Sequence, residues 1–174
     1  MQHPALSQAN VDTPDHPAGA TALMLAARNG FLAAVDVLIE GGANVHAATP
    51  QGTTVLMQAV ANGSIAVAHL IREGADVNAL NEDKATPLWV TAKLNNAEAL
   101  RALISFDEAE IDACNKYGWS PIFIAAKENN VQALRELIAA KADINNPDTR
   151  GHKSPVYIAA RQNHAESLRV LIEV

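Results

Sequence analysis

An all-α solenoid of stacked helix-turn-helix pairs is the fold this sequence predicts, and three observations carry the prediction. The chain repeats itself: Thr21, Thr54, Thr86, Ser120 and Ser154 each open an apolar run, at intervals of 33, 32, 34 and 34 residues. After each hydroxyl the same marks recur, a small pair, then Gly or Asn, then an aliphatic pair. Of the 174 residues 49% are apolar and 34 are alanine, while aromatics make up only 4%. That is too apolar for a disordered chain, and a core so rich in alanine must bring helices close together. Length alone would suggest one globular domain of ~150 residues, but a period this short overrides that reading.

Each mark has a physical cause. The Thr or Ser is a helix N-cap, and Pro87, Pro121 and Pro155 in the next position suit a first helical turn. The pairs Ala26-Ala27, Ala59-Val60, Thr91-Ala92, Ala125-Ala126 and Ala159-Ala160 let a neighbouring helix approach closely. Gly30, Gly63, Asn95, Asn129 and Asn163 are suited to the left-handed conformation that ends a short helix. Leu38-Ile39, Leu70-Ile71, Leu103-Ile104, Leu137-Ile138 and Leu171-Ile172 anchor a second helix. Polar stretches such as Ala43-Asn44-Val45, Ala75-Asp76-Val77 and Ala142-Asp143-Ile144 then lead into an extended turn. Helices of roughly 8 to 10 residues are marginal alone, so stacking on neighbouring units must hold them.

These residues resemble the ankyrin repeat family, whose unit runs D-x-x-G-x-T-P-L-H-x-A-A-x-x-G-H, then an aliphatic helix, then G-A-D-V-N. The best matches are Gly74-Ala75-Asp76-Val77-Asn78-Ala79, Ala85-Thr86-Pro87-Leu88-Trp89 and Gly118-Trp119-Ser120-Pro121-Ile122-Phe123-Ile124-Ala125-Ala126. The resemblance covers residues 15–174, in units 15–48, 49–80, 81–114, 115–147 and 148–174. Residues 1–14, with Leu6-Ser7-Gln8-Ala9-Asn10-Val11-Asp12, read as the end of a preceding unit. The resemblance implies projecting β-turn or hairpin loops, a slight right-handed curvature, and a concave side lined by the first helix of each pair. The family histidine after T-P-L is replaced by Met24, Met57, Trp89, Phe123 and Tyr157. The second unit reads as one residue short after Leu70-Ile71, and the third as one residue long in Asp107-Glu108-Ala109-Glu110-Ile111. Lys84 stands where the family usually has Gly, and extra residues fall before Gly19 and around His152-Lys153. Local turn distortions are expected at those points.

Several function classes find no support. A net charge of −6 makes the chain a poor match for nucleic acid. The stretch from Gly41 to Ile71 lacks Asp, Glu, Lys and Arg, but Asn44, His46, Pro50, Gln51, Asn62 and Gly63 interrupt it, so no membrane insertion is expected. The first residues, MQHPALSQANVDTPDHP, do not read as a signal peptide. Cys114 is the lone cysteine, which fits a reducing compartment, and a cytoplasmic location is expected. No phosphate-binding glycine loop and no H-E-x-x-H occur. The six histidines are scattered over different repeat positions, and the acids Asp107, Glu108, Glu110 and Asp112 read as a solvated loop. The sequence therefore predicts no enzyme, no metal and no cofactor. His164, at the family's Gly-His loop position, is expected to make a local hydrogen bond.

The surface chemistry is uneven. Residues 1–83 carry 8 acids and 2 bases, while residues 84–174 carry 11 of each. Trp89, Phe123 and Tyr157 share one position on the first helix, and Lys93, Lys127 and Arg161 share the position one turn on. By the resemblance, Lys116, Tyr117, Trp119 and Arg150 sit on the rim of the concave side. The aromatics have two readings, packing between units or anchoring a partner. The function expected is a protein-protein interaction module working through groove and turn tips, monomeric on its own, its partner a protein with an acidic and apolar segment. The alternative is a regulatory or targeting segment of a larger enzyme, channel or secreted effector whose active domain lies outside these residues. A second recurrent position carries Arg101, Arg135 and Arg169, with Asp36 and His69 at its equivalents, and reads as a solvated outer face with ion pairs such as Glu98 with Arg101. The resemblance also implies possible hydroxylation of Asn78, with Leu70 eight residues earlier, and of Asn145, with Leu137. The plainer role for each is a hydrogen bond across its turn.

Overall fold

The computed structural model describes residues 10–15, 18–61, 65–149 and 151–173. Ten helices lie in the described residues, in five consecutive pairs: α1 Ala22–Asn29 with α2 Leu32–Glu40, α3 Val55–Ala59 with α4 Ile65–Arg72, α5 Pro87–Leu94 with α6 Ala97–Ile104, α7 Pro121–Lys127 with α8 Val131–Ala139, and α9 Pro155–Arg161 with α10 Ala165–Ile172. First helices pack on first helices along the stack, α1 on α3, α3 on α5, α5 on α7 and α7 on α9. Second helices do the same on the other side. We number the pairs as units 1 to 5. Among the described residues the only bridge pairings join Asp15 with Ala20 and Ala48 with Thr54, at the base of projecting turns.

Local chemistry explains where the helices start and stop. Thr21, Thr54, Thr86, Ser120 and Ser154 each accept a hydrogen bond from the backbone N–H three residues on, at 3.2–3.3 Å. Each such cap contributes about 1 kcal/mol. Gly30, Asn95, Asn129 and Asn163 all adopt left-handed backbone, with φ between 56° and 70°. Gly63 lies outside the described residues. The alanines sit where helices of adjacent units meet: Ala27, Ala92 and Ala126 are fully buried.

Unit 2 departs from the expected register. Its exit from α4 has full length, because Ala75 N–H bonds Leu70 O at 2.9 Å just as Ala43 N–H bonds Leu38 O. That bond closes only over a fixed number of residues. The missing residue therefore lies ahead of Leu70, not after Leu70-Ile71: α3 is five residues long and ends on Val60 in right-handed backbone. Unit 3 does carry its extra residue after α6. There Phe106 N–H bonds Leu103 O at 3.2 Å and Ala109 N–H bonds Phe106 O at 3.0 Å, adding a second tight turn.

The expected distortion at Lys84 is not found. Lys84 has φ +55°, close to Gly19, Gly52, Gly118 and His152 at the same repeat position. Asn81 Oδ1 accepts from both Asp83 N–H and Ala85 N–H at 2.9 Å, which holds the turn around the lysine. In unit 5 the inserted residue is absorbed by the same device, with Asp148 Oδ1 accepting from Gly151 N–H and Lys153 N–H.

Residues 10–13 form the same turn as residues 143–146. Asp12 N–H bonds Asn10 Oδ1 at 3.1 Å and Thr13 N–H bonds Asn10 O at 3.2 Å; Asn145 N–H bonds Asp143 Oδ1 at 2.9 Å and Asn146 N–H bonds Asp143 O at 3.2 Å. Asp12 Oδ1 then accepts from Asn44 N–H of unit 1 at 2.9 Å, as Asp112 Oδ1 accepts from Asp143 N–H at 3.0 Å. Residues 6–9 lie outside the described residues.

Candidate protein-binding surface

The side chains singled out in units 3 and 4 form one connected cluster. Trp119 stacks on Phe123 with ring centroids 5.7 Å apart and a 22° interplanar angle, and Tyr117 tilts against Trp119 at 5.2 Å. Trp89 Nε1–H donates to Trp119 O at 2.9 Å, joining unit 3 to unit 4. Three lysines cover these rings: Lys93 over Trp89 at 5.7 Å, Lys116 over Tyr117 at 5.3 Å and Lys127 over Trp119 at 5.2 Å. Cation–π pairs of this kind contribute about 0.5–1 kcal/mol at exposed sites.

Burial divides the cluster into a floor and a rim. Phe123 is fully buried and Trp89 nearly so, which places both between units, under the surface. Tyr117 and Trp119 are half-buried, with Trp119 packed against the core edge. Tyr157 and Arg161 lie on unit 5, both exposed. Arg150 lies outside the described residues.

Two of the lysines are already engaged with carboxylates. Lys116 Nζ lies 2.5 Å from Asp83, which pushes its pKa up, and Lys127 Nζ lies 2.9 Å from Glu128. Neither Lys93 nor Arg161 has an ion pair among the described residues. Arg101, expected beside Glu98, reaches across the unit boundary to Glu136 at 2.7 Å. Arg169 pairs with Glu166 at 2.5 Å, and Asp36 meets His69 Nε2 at 2.9 Å.

Cys114 is exposed in its turn, 4.0 Å from Asn146 Nδ2. Lost solvation and the Asp112 carboxylate push its pKa above the usual thiol range, the opposite of what a nucleophile needs. No group of three His, Cys, Asp or Glu that could hold a metal ion occurs among the described residues. No helix among them is long and apolar enough to cross a membrane.

The Asn78 amide is tied at both ends to the next turn, its Nδ2 donating to Glu108 O at 2.7 Å and its Oδ1 accepting from Glu110 N–H at 2.9 Å. Asn145 is exposed.

One set of structural residues escaped the sequence reading. Asn96 Nδ2 donates to Val60 O at 3.0 Å, and Asn130 Nδ2 donates to Ala92 O and Lys93 O at 2.9 and 2.8 Å. His164 Nδ1 lies 3.1 Å from Ala126 O, so its bond is not local but reaches the preceding unit. The signal was present, since the three occupy one repeat position, but polarity there reads equally well as a solvated loop.

No curated protein matches the chain. The family model described as ankyrin repeats in three copies matches residues 3–81, 56–148 and 88–174. With ten helices in stacked pairs among the described residues and hydroxyl caps at the period of that unit, the chain belongs to the ankyrin repeat family.

Proposed function

We propose that the chain binds a partner protein over units 3 to 5. Ankyrin repeats are in general protein-interaction modules and typically non-catalytic, and a stack of short helix pairs offers a long rigid surface. The observation that carries the finer reading is the half-exposed Tyr117–Trp119 pair under a cover of lysines. Interface energy concentrates in such aromatic anchors. Lys93 and Arg161, one helical turn from Trp89 and Tyr157, favour a partner that sets carboxylates beside an apolar anchor. Units 1 and 2 offer Met24, Met57 and Ala61 at the equivalent positions, and their acidic excess repels that partner, which sets its direction along the groove.

An affinity pull-down with the whole chain, read by mass spectrometry, identifies the partner, and titration against variants tests the surface. Trp119→Ala should cost about 2 kcal/mol or more of binding. Lys127→Glu should mainly slow association and weaken its salt dependence, and Arg28→Ala should do little. If Arg135→Glu abolishes binding while Trp119→Ala and Lys127→Glu leave it unchanged, the partner sits on the outer helices instead. For hydroxylation, exposed Asn145 is the better-placed candidate; intact-peptide mass spectrometry of protein from its native host showing no added oxygen there removes the idea.

A further inference from the structure

Five projecting turns among the described residues are built alike, and a repeated rung between neighbouring turns is missing at one step. In each turn the N–H of the fourth residue bonds the carbonyl of the first: Thr13 to Asn10, Ala47 to Asn44, Ala79 to Asp76, Ala113 to Glu110 and Asn146 to Asp143. The third residue then offers a side-chain oxygen to the first N–H of the next turn. Asp12 Oδ1 accepts from Asn44 N–H at 2.9 Å, Asn78 Oδ1 from Glu110 N–H at 2.9 Å, and Asp112 Oδ1 from Asp143 N–H at 3.0 Å. At the remaining step, from the turn of unit 1 to that of unit 2, the third residue is His46. The backbone of its turn is regular, with His46 N–H bonding Asn44 Oδ1 at 2.9 Å as Asn78 N–H bonds Asp76 Oδ1. His46 is exposed, and Asp76 N–H has no hydrogen-bond partner among the described residues.

A pocket of about 150 Å³ opens where the rung is missing. Val45 and His46 line it from one turn, Ala75, Asp76 and Ala79 from the other, and Leu56 from α3. Leu56 and Ala75 are buried, Val45 and Ala79 half-buried, and His46 and Asp76 exposed, so the walls are mostly apolar and the polar groups stand at the mouth. An apolar cavity of roughly this volume accommodates one benzene ring. The unpaired Asp76 N–H is a donor that at every other step of the ladder receives an oxygen. The ladder also shows which oxygens such an N–H takes: the carboxamide of Asn78 and the carboxylates of Asp12 and Asp112. Charge decides between the two for a free molecule. Asp112 is held beside Asp143 by the chain, whereas a free anion would meet the Asp76 carboxylate in a half of the molecule with 8 acids and 2 bases. A neutral carbonyl meets no such repulsion.

We propose that this pocket binds a small neutral molecule, a primary carboxamide on a body the size of one ring. Its carbonyl oxygen accepts from Asp76 N–H and so takes the place of the side-chain oxygen that His46 does not supply. Its ring fills the space between Val45, Leu56 and Ala79, and its N–H groups lie towards the Asp76 carboxylate at the mouth. Bound there, the molecule restores the tie between the turns of units 1 and 2, so occupancy and the stability of that boundary are linked. The site belongs to units 1 and 2 and draws on neither Trp119 nor the lysines around it.

Titration of benzamide into the isotope-labelled whole chain, followed by two-dimensional amide NMR, tests this. Benzamide should shift the amides of His46, Asp76 and Ala79 and saturate with a dissociation constant on the order of 1 mM. Benzoate, the same ring with a charged head, should bind about tenfold more weakly or worse. His46→Asn supplies the missing oxygen, as Asn78 does one turn on, so it should close the pocket, weaken benzamide by about tenfold or more and raise the urea midpoint. If circular dichroism shows that this variant has lost helix, Ala79→Leu fills the pocket from the opposite turn and should cause the same loss of benzamide binding. The absence of saturable shifts at these amides overturns the proposal, as do shifts spread evenly over all five units. Benzoate binding as tightly as benzamide also overturns it, and so does undiminished benzamide binding by the folded variant.

Discussion

Between units 1 and 2, among the described residues, His69 Nε2 faces Asp36 at 2.9 Å. Between units 3 and 4 the boundary is crossed by Trp89 to Trp119 O, by Asn130 to Ala92 O and Lys93 O, by Asn95 to Ala133 N–H, and by Arg101 to Glu136. Both boundaries bury small residues and have similar helix packing. Apolar packing supplies attraction without direction. Hydrogen bonds set distance and angle. The boundary beneath the aromatic cluster is thus fixed in distance and angle. The shortened α3 falls in the other half.

The comparison is broken most directly by overfilling the boundaries. Ala92→Leu or Ala126→Leu should destabilise by about 1–3 kcal/mol in urea denaturation, because the helices in contact there cannot part. Ala27→Leu, at the packed boundary, should fall at the low end of that range. Ala139→Ser, exposed on α8, should cost under about 0.5 kcal/mol. Equal costs for Ala27→Leu and Ala92→Leu would mean that the directional bonds do not stiffen the second half.

Removing the bonds themselves is the next test. Asn130→Ala deletes two donors to the preceding unit and should cost about 1–2 kcal/mol. Phe31→Ala, at the same repeat position in unit 1, should cost under about 0.5 kcal/mol, since the ring is exposed. Urea midpoints of the two variants decide between a directional and a merely apolar role for that position.

Acid should loosen unit 5 through its turn. Burial of the Asp148 carboxylate opposes its ionisation, but the Lys153 and Gly151 N–H groups donating to it, with the Lys153 and His152 charges, outweigh burial and hold its pKa below the usual 3.8. A carboxyl depressed in the folded state contributes stability above its unfolded pKa and loses it as pH falls through the folded value. Thermal melting should therefore fall below a pH of about 3.8, and Asp148→Asn should remove that part of the fall. The corresponding turns of units 3 and 4 are built on Asn81 and Asn115, which do not titrate, so they should give no such acid response. An unchanged acid profile in Asp148→Asn would place the pH dependence elsewhere. The smallest effect concerns the left-handed lysine: Lys84→Gly should raise stability by up to about 1 kcal/mol, read from the same urea midpoints.

The sequence by itself determined the period, the caps and the alanine contacts, because each depends on chemistry within a few residues. A hydroxyl three residues before a backbone N–H, a Pro in the first turn and an Asn at a left-handed position act locally, so their spacing is legible along the chain. It also put Trp89, Phe123 and Tyr157 at one repeat position and Lys93, Lys127 and Arg161 at another, while the resemblance set Lys116, Tyr117 and Trp119 on the rim. Only the tertiary structure decided which of them face outward. Trp89, Phe123 and Tyr157 occupy one position, and the first two are covered by the unit that follows while Tyr157 is not. The same holds for Lys116, whose charge is engaged by Asp83, for the residue missing ahead of Leu70, and for the boundary bonds of Asn96, Asn130 and His164. These outcomes depend on groups some 30 or more residues away, or on where a length change is absorbed, and a one-dimensional pattern carries neither.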